Sequence, residues 1–131
     1  MRIWHESLIP YLDRQRLLGQ HRECAALRGA GWGRPHATVN YVFSHDPSLL
    51  VAYHYKIMQE MRRRGYNPDP IWENPNWRGT KLGEQPKWAD QNKVDVYLSS
   101  GLFLYPEHND SYLEECIENL KNKGVEINYG V

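Results

Sequence analysis

The clearest periodic pattern lies near the middle of the chain. Apolar side chains recur there every three or four residues, which is the period of a helix that buries one face. These side chains are Leu50, Val51, Ile57, Met58 and Met61. Asp46 precedes them as a candidate N-cap, Pro47 suits the first helical position, and Gly65 suits the residue after a helix. The pattern predicts a helix over residues 47–64.

Capping signals predict two more helices, one on each side of the central one. The first covers residues 13–28 and has Asp13 as its N-cap. The other covers residues 112–123, where Ser111 and Glu114 have the spacing of a capping box. A glycine directly follows each segment, which favours a helix stop at both places.

The segment between the second and third helices is irregular. Proline and tryptophan are concentrated in residues 66–104, so we expect an ordered loop held down by aromatic rings. The stretch KVDVYLSSGLFLY, residues 93–105, is compatible with a short strand or hairpin. The stretch HATVNYVF, residues 36–43, is ambiguous between a strand and an extra helical turn. The predicted architecture is all-α, with three main helices in a single domain over residues 1–131.

Composition narrows the class of protein without naming an activity. The chain has 131 residues, 40% hydrophobic side chains and a formal net charge of zero, which is typical of a folded domain. Cys24 and Cys116 fit no metal or redox motif and are most simply buried thiols. The six histidines show no metal-ligand spacing. We expect a cytoplasmic monomer without metal, cofactor or membrane segment.

The first predicted helix carries an unusual outer face. A helical wheel places one set of residues toward the core: Leu17, Leu18, His21, Cys24 and Ala25. The opposite set is Gln15, Gly19, Arg22, Glu23 and Ala26. A glycine inside a helix costs about 1 kcal/mol relative to alanine, and close approach of another molecule is one reason to accept that cost. The alternatives are ordinary solvation of Arg22 and Glu23, or packing of a second helix on the small residues.

Charge is segregated along this neutral chain. Basic residues collect on the first two helices: Arg14, Arg16, Arg22, Arg28, Arg62, Arg63 and Arg64. Acidic residues collect near the third: Glu107, Asp110, Glu114, Glu115 and Glu118. Such separation can present a basic groove to phosphates, although arginines at a helix C-terminus also stabilise the helix itself.

The order of several short motifs resembles the pyrimidine-dimer DNA glycosylases, the small phage-type UV endonucleases. The matching residues are Met1, Arg2, Ile3, Gln15, Arg22, Glu23, His36, Thr38 and Tyr41. The similarity continues through RRGYN and then WRG at Trp77–Gly79, and it covers about two-thirds of the chain. No single motif is strong; the order and the near-matching spacing carry the resemblance.

The resemblance implies a bifunctional enzyme that excises a damaged base and then cleaves the strand at the abasic sugar. In that family the nucleophile is the α-amine of the mature N-terminus, and the helical glutamate acts on the sugar. Those roles correspond here to Met1, which we expect to be retained because Arg2 is large, and to Glu23. The expected DNA-contacting residues are Arg2, Gln15, Arg16, Arg22, Arg28, His36 and Arg78. The implied partner is double-stranded DNA carrying a UV pyrimidine dimer.

The chain also departs from the family pattern. The arginine expected one turn after the glutamate is Ala26, residues 80–103 look like an insertion, and the aromatic C-terminal tail is absent. A relative that acts on a different modified base is therefore one alternative. A second is a non-enzymatic module that binds nucleic acid or protein through the same arginine and tryptophan surface.

Overall fold

Helices account for nearly all of the regular structure in the computed structural model, which describes residues 2–29 and 39–127. Four α-helices lie in these ranges: α1 Arg14–Arg28, α2 Pro47–Arg63, α3 Gln91–Ser99 and α4 Asp110–Asn122. Three short 3-10 helices accompany them, at Glu6–Tyr11, Asn40–Ser44 and Pro70–Glu73. Extended pairing in the described ranges is limited to one isolated bridge between Trp77 and Glu84. The all-α prediction is confirmed.

The ends of α1 and α2 lie within one residue of the prediction. Asp13 and Asp46 are the N-cap residues, and the Asp46 side chain accepts a hydrogen bond from Ser48 N. After α2 the chain turns at Gly65, whose φ of +89° is accessible to glycine at little cost. The capping box predicted for α4 is wrong, because the side chain of Asn109 accepts from Tyr112 N and starts the helix two residues earlier.

The strand or hairpin predicted near residues 93–105 is also wrong. Residues 93–99 of this stretch belong to α3. The Asp90 side chain caps the first turn of that helix by accepting a hydrogen bond from Asn92 N. The helix packs on α2 through the fully buried Val94, and Lys93 forms an ion pair with Asp46 at 2.9 Å. Of the other ambiguous stretch, residues 40–43 belong to a 3-10 helix, and residues 36–38 lie outside the described residues.

The core forms where α2 packs between α1 and α3. The predicted apolar stripe of α2 is buried, and both cysteines are buried free thiols. The loop between α2 and α3 is held by aromatic and polar contacts: the Arg78 guanidinium lies 4.6 Å from the Trp88 ring centre, and the Asn76 side chain accepts from Ala89 N. None of the described helices combines the length and apolar character needed to cross a membrane.

The N-terminal segment, residues 2–5, enters this helical core without helix or strand structure. Ile3, Trp4 and His5 are buried, although the segment has no strand partner among the described residues. Side chains from three helices therefore supply its hydrogen bonds: Gln20 of α1, Tyr53 of α2 and Tyr112 of α4. This arrangement fixes the start of the chain against α1.

Candidate active site

A cavity of about 360 Å³ lies between the N-terminal segment, α1 and the end of α4. Within the part of the chain that the structure describes, its lining combines basic, amide and aromatic side chains with one carboxylate. The lining residues are Arg2, Trp4, Gln15, Arg16, Gly19, Gln20, Arg22, Glu23, Asn119 and Lys123. Such a concave surface with convergent polar groups is typical of a ligand or substrate site.

Five of the residues predicted from the sequence line this cavity together. Arg2 comes from the N-terminal segment, and the other four lie on α1: Gln15, Arg16, Arg22 and Glu23. Their spacing along α1 is that of neighbouring positions on one helical face, since residues three, four and seven apart lie above one another. The outer face of the first predicted helix therefore faces the cavity.

Glu23 is more buried than the helical wheel predicts. Its exposed fraction is 7%, whereas the neighbouring Arg22 is exposed. The difference arises because the N-terminal segment crosses α1 here: Gln20, one turn before Glu23, donates to Arg2 O and accepts from Trp4 N. A carboxylate in such a partly desolvated position interacts more strongly with nearby charge than one in open water.

The charge of the cavity is predominantly positive. Among the described lining residues, the cations are Arg2, Arg16, Arg22 and Lys123, and Glu23 is the one carboxylate. Outer acidic groups offset this in part, because Arg2 lies 3.6 Å from Glu115 and Arg16 lies 3.4 Å from Asp13. A cleft lined by one sign of charge concentrates ligands of the opposite sign, so this cavity favours phosphate groups.

An aromatic ring forms part of the cavity wall. Trp4 is 6% exposed, and its ring lies 5.6 Å from the Arg2 guanidinium carbon and 5.4 Å from Lys123 Nζ. These cation–π contacts place two positive groups over one wall of the cavity. Beside them, Asn119 Oδ1 is buried and has no hydrogen-bond partner among the described residues.

Arg28 lies in the core and does not line the cavity, so its predicted role in binding DNA stays a prediction that its position does not favour. Its side chain is completely buried and donates to Trp72 O at 2.9 Å, Asn74 O at 2.7 Å and His54 Nδ1 at 3.0 Å. Burial lowers the pKa of Arg28 to about 10, so the guanidinium remains charged at neutral pH. A group so enclosed cannot reach a phosphate from this conformation.

Arg78 also has a structural position, at the end of α1. Its guanidinium donates to Arg28 O at 2.6 Å and Gly29 O at 3.2 Å, so it caps the C-terminus of that helix. It does not line the cavity. The remaining predicted residues, Met1 and His36, lie outside the described residues, as does Thr38 of the resemblance.

Gly19 was noted on the outer face of the first predicted helix, and the other four lining residues were not singled out in the sequence. Trp4 and Gln20 are close in sequence to predicted site residues, but the helical wheel alone does not reveal that they line the cavity. Asn119 and Lys123 are one helical turn apart at the end of α4. No local pattern identifies them, because only the packing of α4 brings them to the cavity.

A layer of polar aromatic side chains lies next to the N-terminal segment. His108 Nδ1 accepts from Glu6 N at 3.0 Å, so its proton is on Nε2, which lies 2.8 Å from Tyr41 OH. Burial, with a smaller contribution from His5, lowers the pKa of His108 to about 3. This imidazole is therefore neutral in the folded protein at physiological pH.

Comparison with known proteins identifies the family. The family model described as pyrimidine dimer DNA glycosylase matches residues 1–74, which is more than half of the chain. The match includes the N-terminal segment, α1 and α2, but it ends before Trp77–Gly79 and α4, so it is shorter than the resemblance seen in the sequence. No curated protein and no solved structure matches the chain significantly. The chain belongs to the pyrimidine dimer DNA glycosylase family, which makes it a DNA-repair glycosylase.

Proposed function

We propose that this protein excises a damaged pyrimidine and then cleaves the DNA strand at the resulting abasic site. In this proposal the α-amine of Met1 is the nucleophile, and Glu23 is the carboxylate that acts on the sugar. The observation that carries the proposal is the shared cavity. Arg2, next in the chain to Met1, lines the same 360 Å³ space as the buried Glu23.

Covalent geometry supports the role of the chain terminus. Consecutive Cα atoms are about 3.8 Å apart, so the amino group of residue 1 is restricted to the neighbourhood of Arg2. Hydrogen bonds on both sides of the N-terminal segment fix Arg2, Ile3 and Trp4 relative to α1 and α4. The residue to which Met1 is joined, Arg2, is therefore anchored in the cavity wall.

The basicity of an α-amine also suits the reaction. Its ordinary pKa is about 7.7–8.0, so on the order of 10% is unprotonated at neutral pH, whereas a lysine with a pKa of about 10.4 is almost fully protonated. The amine needs no special activation to attack a sugar carbon.

The proposed chemistry proceeds in two bond-breaking steps. The amine nitrogen attacks C1′ of the deoxyribose, and the bond to the base breaks with its electron pair leaving on the base, which takes up one proton of the amine. The ring oxygen then leaves C1′ and takes up the second amine proton, which opens the sugar ring and gives a Schiff base between the nitrogen and C1′. Glu23 then removes a proton from C2′, and the electron pair expels the 3′ phosphate. Water hydrolyses the Schiff base and restores the amine.

The cavity side chains supply the binding part of the proposal. We assign phosphate contacts to Arg2, Arg16 and Arg22, with Gln15 as a neutral hydrogen-bonding partner at the rim. A Cβ at Gly19 would fit within the protein itself, because its nearest neighbour would be the Arg22 guanidinium at 3.7 Å. We therefore assign the glycine to close approach of the DNA backbone to α1. His36 remains a prediction, and the substrate proposed is double-stranded DNA containing a pyrimidine dimer.

The experiment is a nicking assay on matched duplexes that contain a cyclobutane pyrimidine dimer, an abasic site or no damage. We expect the untagged protein to nick the first two. Glu23→Gln should bind the abasic duplex as wild type does but cleave it at least about 10²-fold more slowly, which is the scale of a lost general base. Glu114→Gln, which removes the same charge from an exposed position on α4, is the control.

Equal cleavage by Glu23→Gln and wild type would remove Glu23 from the mechanism. Binding without nicking of any duplex would favour the non-enzymatic module. Nicking of a duplex with another modified base, but not of the dimer, would keep the chemistry and change the substrate.

A further inference from the structure

The N-terminal segment is hydrogen-bonded on both edges by side chains instead of by neighbouring strands. On one edge, Gln20 Nε2 donates to Arg2 O at 3.0 Å and Gln20 Oε1 accepts from Trp4 N at 2.7 Å. On the other edge, the Tyr112 hydroxyl donates to Ile3 O at 2.5 Å. The segment therefore has one register against α1, because each contact specifies a particular backbone atom.

Gln20 makes the pair of contacts that defines this register. In extended chain, the C=O of one residue and the N–H two residues later point to the same edge, as they do toward a partner strand. The carboxamide of Gln20 offers one donor and one acceptor, so it fits this pair in a single orientation. A shift of the segment by one residue would break both hydrogen bonds and leave buried groups unsatisfied.

A second side chain holds Gln20 in place. The Tyr53 hydroxyl lies 2.9 Å from Gln20 Oε1 and 2.7 Å from Trp4 O, and its single proton is shared between these two acceptors. Tyr53 is completely buried, and Gln20 is 2% exposed. The amide is therefore fixed by α2 on one side and by the N-terminal segment on the other.

Gln20 and Glu23 are three residues apart on α1 and line the same cavity. We infer that Gln20 is a positioning residue for catalysis: its carboxamide sets the register of the N-terminal segment, and thereby the distance between the terminal amine and the sugar carbon presented beside Glu23. This inference rests on the proposed function. Gln20 takes no part in the chemistry and acts through the backbone of Arg2 and Trp4.

The test compares variants that alter this contact to different degrees. Gln20→Met keeps the length and volume of the side chain but removes both hydrogen bonds. Tyr53→Phe removes only the hydroxyl that holds Gln20. The control is Ile57→Val, at a buried position of α2 that makes none of the hydrogen bonds to the N-terminal segment; the substitution lowers stability and leaves those bonds in place. Each variant is compared with untagged wild type below its unfolding transition.

Three measurements separate positioning from a general loss of structure. The first is the single-turnover rate of strand cleavage on a preformed abasic site, with protein in saturating excess. The second is the Kd for a duplex carrying a tetrahydrofuran analogue of the abasic site, which cannot be cleaved. The third is hydrogen exchange at the Trp4 amide, which donates to Gln20 and is measured without DNA.

We expect Gln20→Met to cleave about 10²-fold more slowly than wild type, because a misplacement of about 1 Å costs that much in rate. Its Kd should change by less than about threefold, and its Trp4 amide should exchange faster. Tyr53→Phe should show a smaller loss in the same direction, and it provides the test if Gln20→Met does not fold. Ile57→Val should retain the wild-type rate.

Cleavage by Gln20→Met within about threefold of wild type would overturn the inference. An equal loss in Ile57→Val at similar stability would do so as well. Unchanged Trp4 exchange in Gln20→Met would show that the segment keeps its register without Gln20. Failure of the proposed function appears differently: wild type itself does not cleave, while the exchange measurement still reports whether Gln20 fixes the segment.

Discussion

Arg22 and Arg28 are on the same helix, but one is exposed to solvent and the other is buried in the core. Arg22 is exposed at the cavity, whereas Arg28 is enclosed by the loop between α2 and α3. We predict that Arg28→Lys strongly destabilises the protein and leaves DNA affinity unchanged. The reason is geometric, because the planar fork of arginine spreads its donors over two nitrogens and a lysine ammonium concentrates them at one.

The magnitude follows from the three hydrogen bonds that Arg28 donates. One nitrogen serves Trp72 O and His54 Nδ1, and the other serves Asn74 O. A single ammonium at a different depth cannot reproduce this arrangement, so we count two of the three bonds as lost. A buried acceptor left without its donor costs about 1–3 kcal/mol, which gives a loss of about 2–6 kcal/mol for Arg28→Lys.

Urea unfolding followed by tryptophan fluorescence measures this loss, and Arg22→Lys is the matched control. The control should lie within about 0.5 kcal/mol of wild type because the side chain is exposed. DNA binding is then measured at a temperature where all variants are folded. If Arg28→Lys has wild-type stability but binds DNA more weakly, this reasoning is refuted and a direct contact between Arg28 and DNA is supported.

Three further predictions follow from individual contacts. Arg22→Ala should reduce the slope of log K against log salt for DNA binding by about 0.9, because one phosphate contact is lost. Gly29→Ala should lower the melting temperature, since the new Cβ would lie 3.0 Å from the backbone oxygen of Arg78. His108 has a folded pKa of about 3, below the ordinary 6.5, so its contribution to stability is present above pH 6.5 and is lost as pH falls toward 3. His108→Asn should therefore reduce the pH dependence of the free energy of unfolding between pH 6 and 4 by up to about 1.4 kcal/mol per pH unit. Urea unfolding in a pH series measures this dependence, and an unchanged dependence in the variant would contradict the lowered pKa of His108.

Local chemistry in the sequence was sufficient to predict α1 and α2. α1 begins directly after Asp13 and α2 directly after Asp46, and a glycine follows the end of each helix within two residues, so these signals are local in the sequence. α3 was missed because its apolar positions also fit a strand, and such a short segment is decided by tertiary contacts. Here Ser48 Oγ accepts from Asp90 N and fixes the start of α3 against α2.

The candidate site residues that share one face of α1 could be predicted from the sequence. Those that reach the cavity only through the packing of another helix could not. The α1 residues share a face, so their common position follows from the helical period. Asn119 and Lys123 reach the cavity through the docking of α4, which no local pattern encodes. The burial of Arg28 could not be predicted, because charge alone does not reveal whether a guanidinium faces solvent or buried carbonyls.

Borohydride trapping on an abasic duplex, followed by peptide mapping of the adduct, tests the central claim most directly. The reagent reduces a Schiff base to a stable bond and so identifies the amine that attacked the sugar. We predict one adduct on the α-amine of Met1, still formed in Lys123→Ala and abolished by acetylation of the N-terminus. An adduct on the Lys123 side chain, or none with a free N-terminus, would contradict the account.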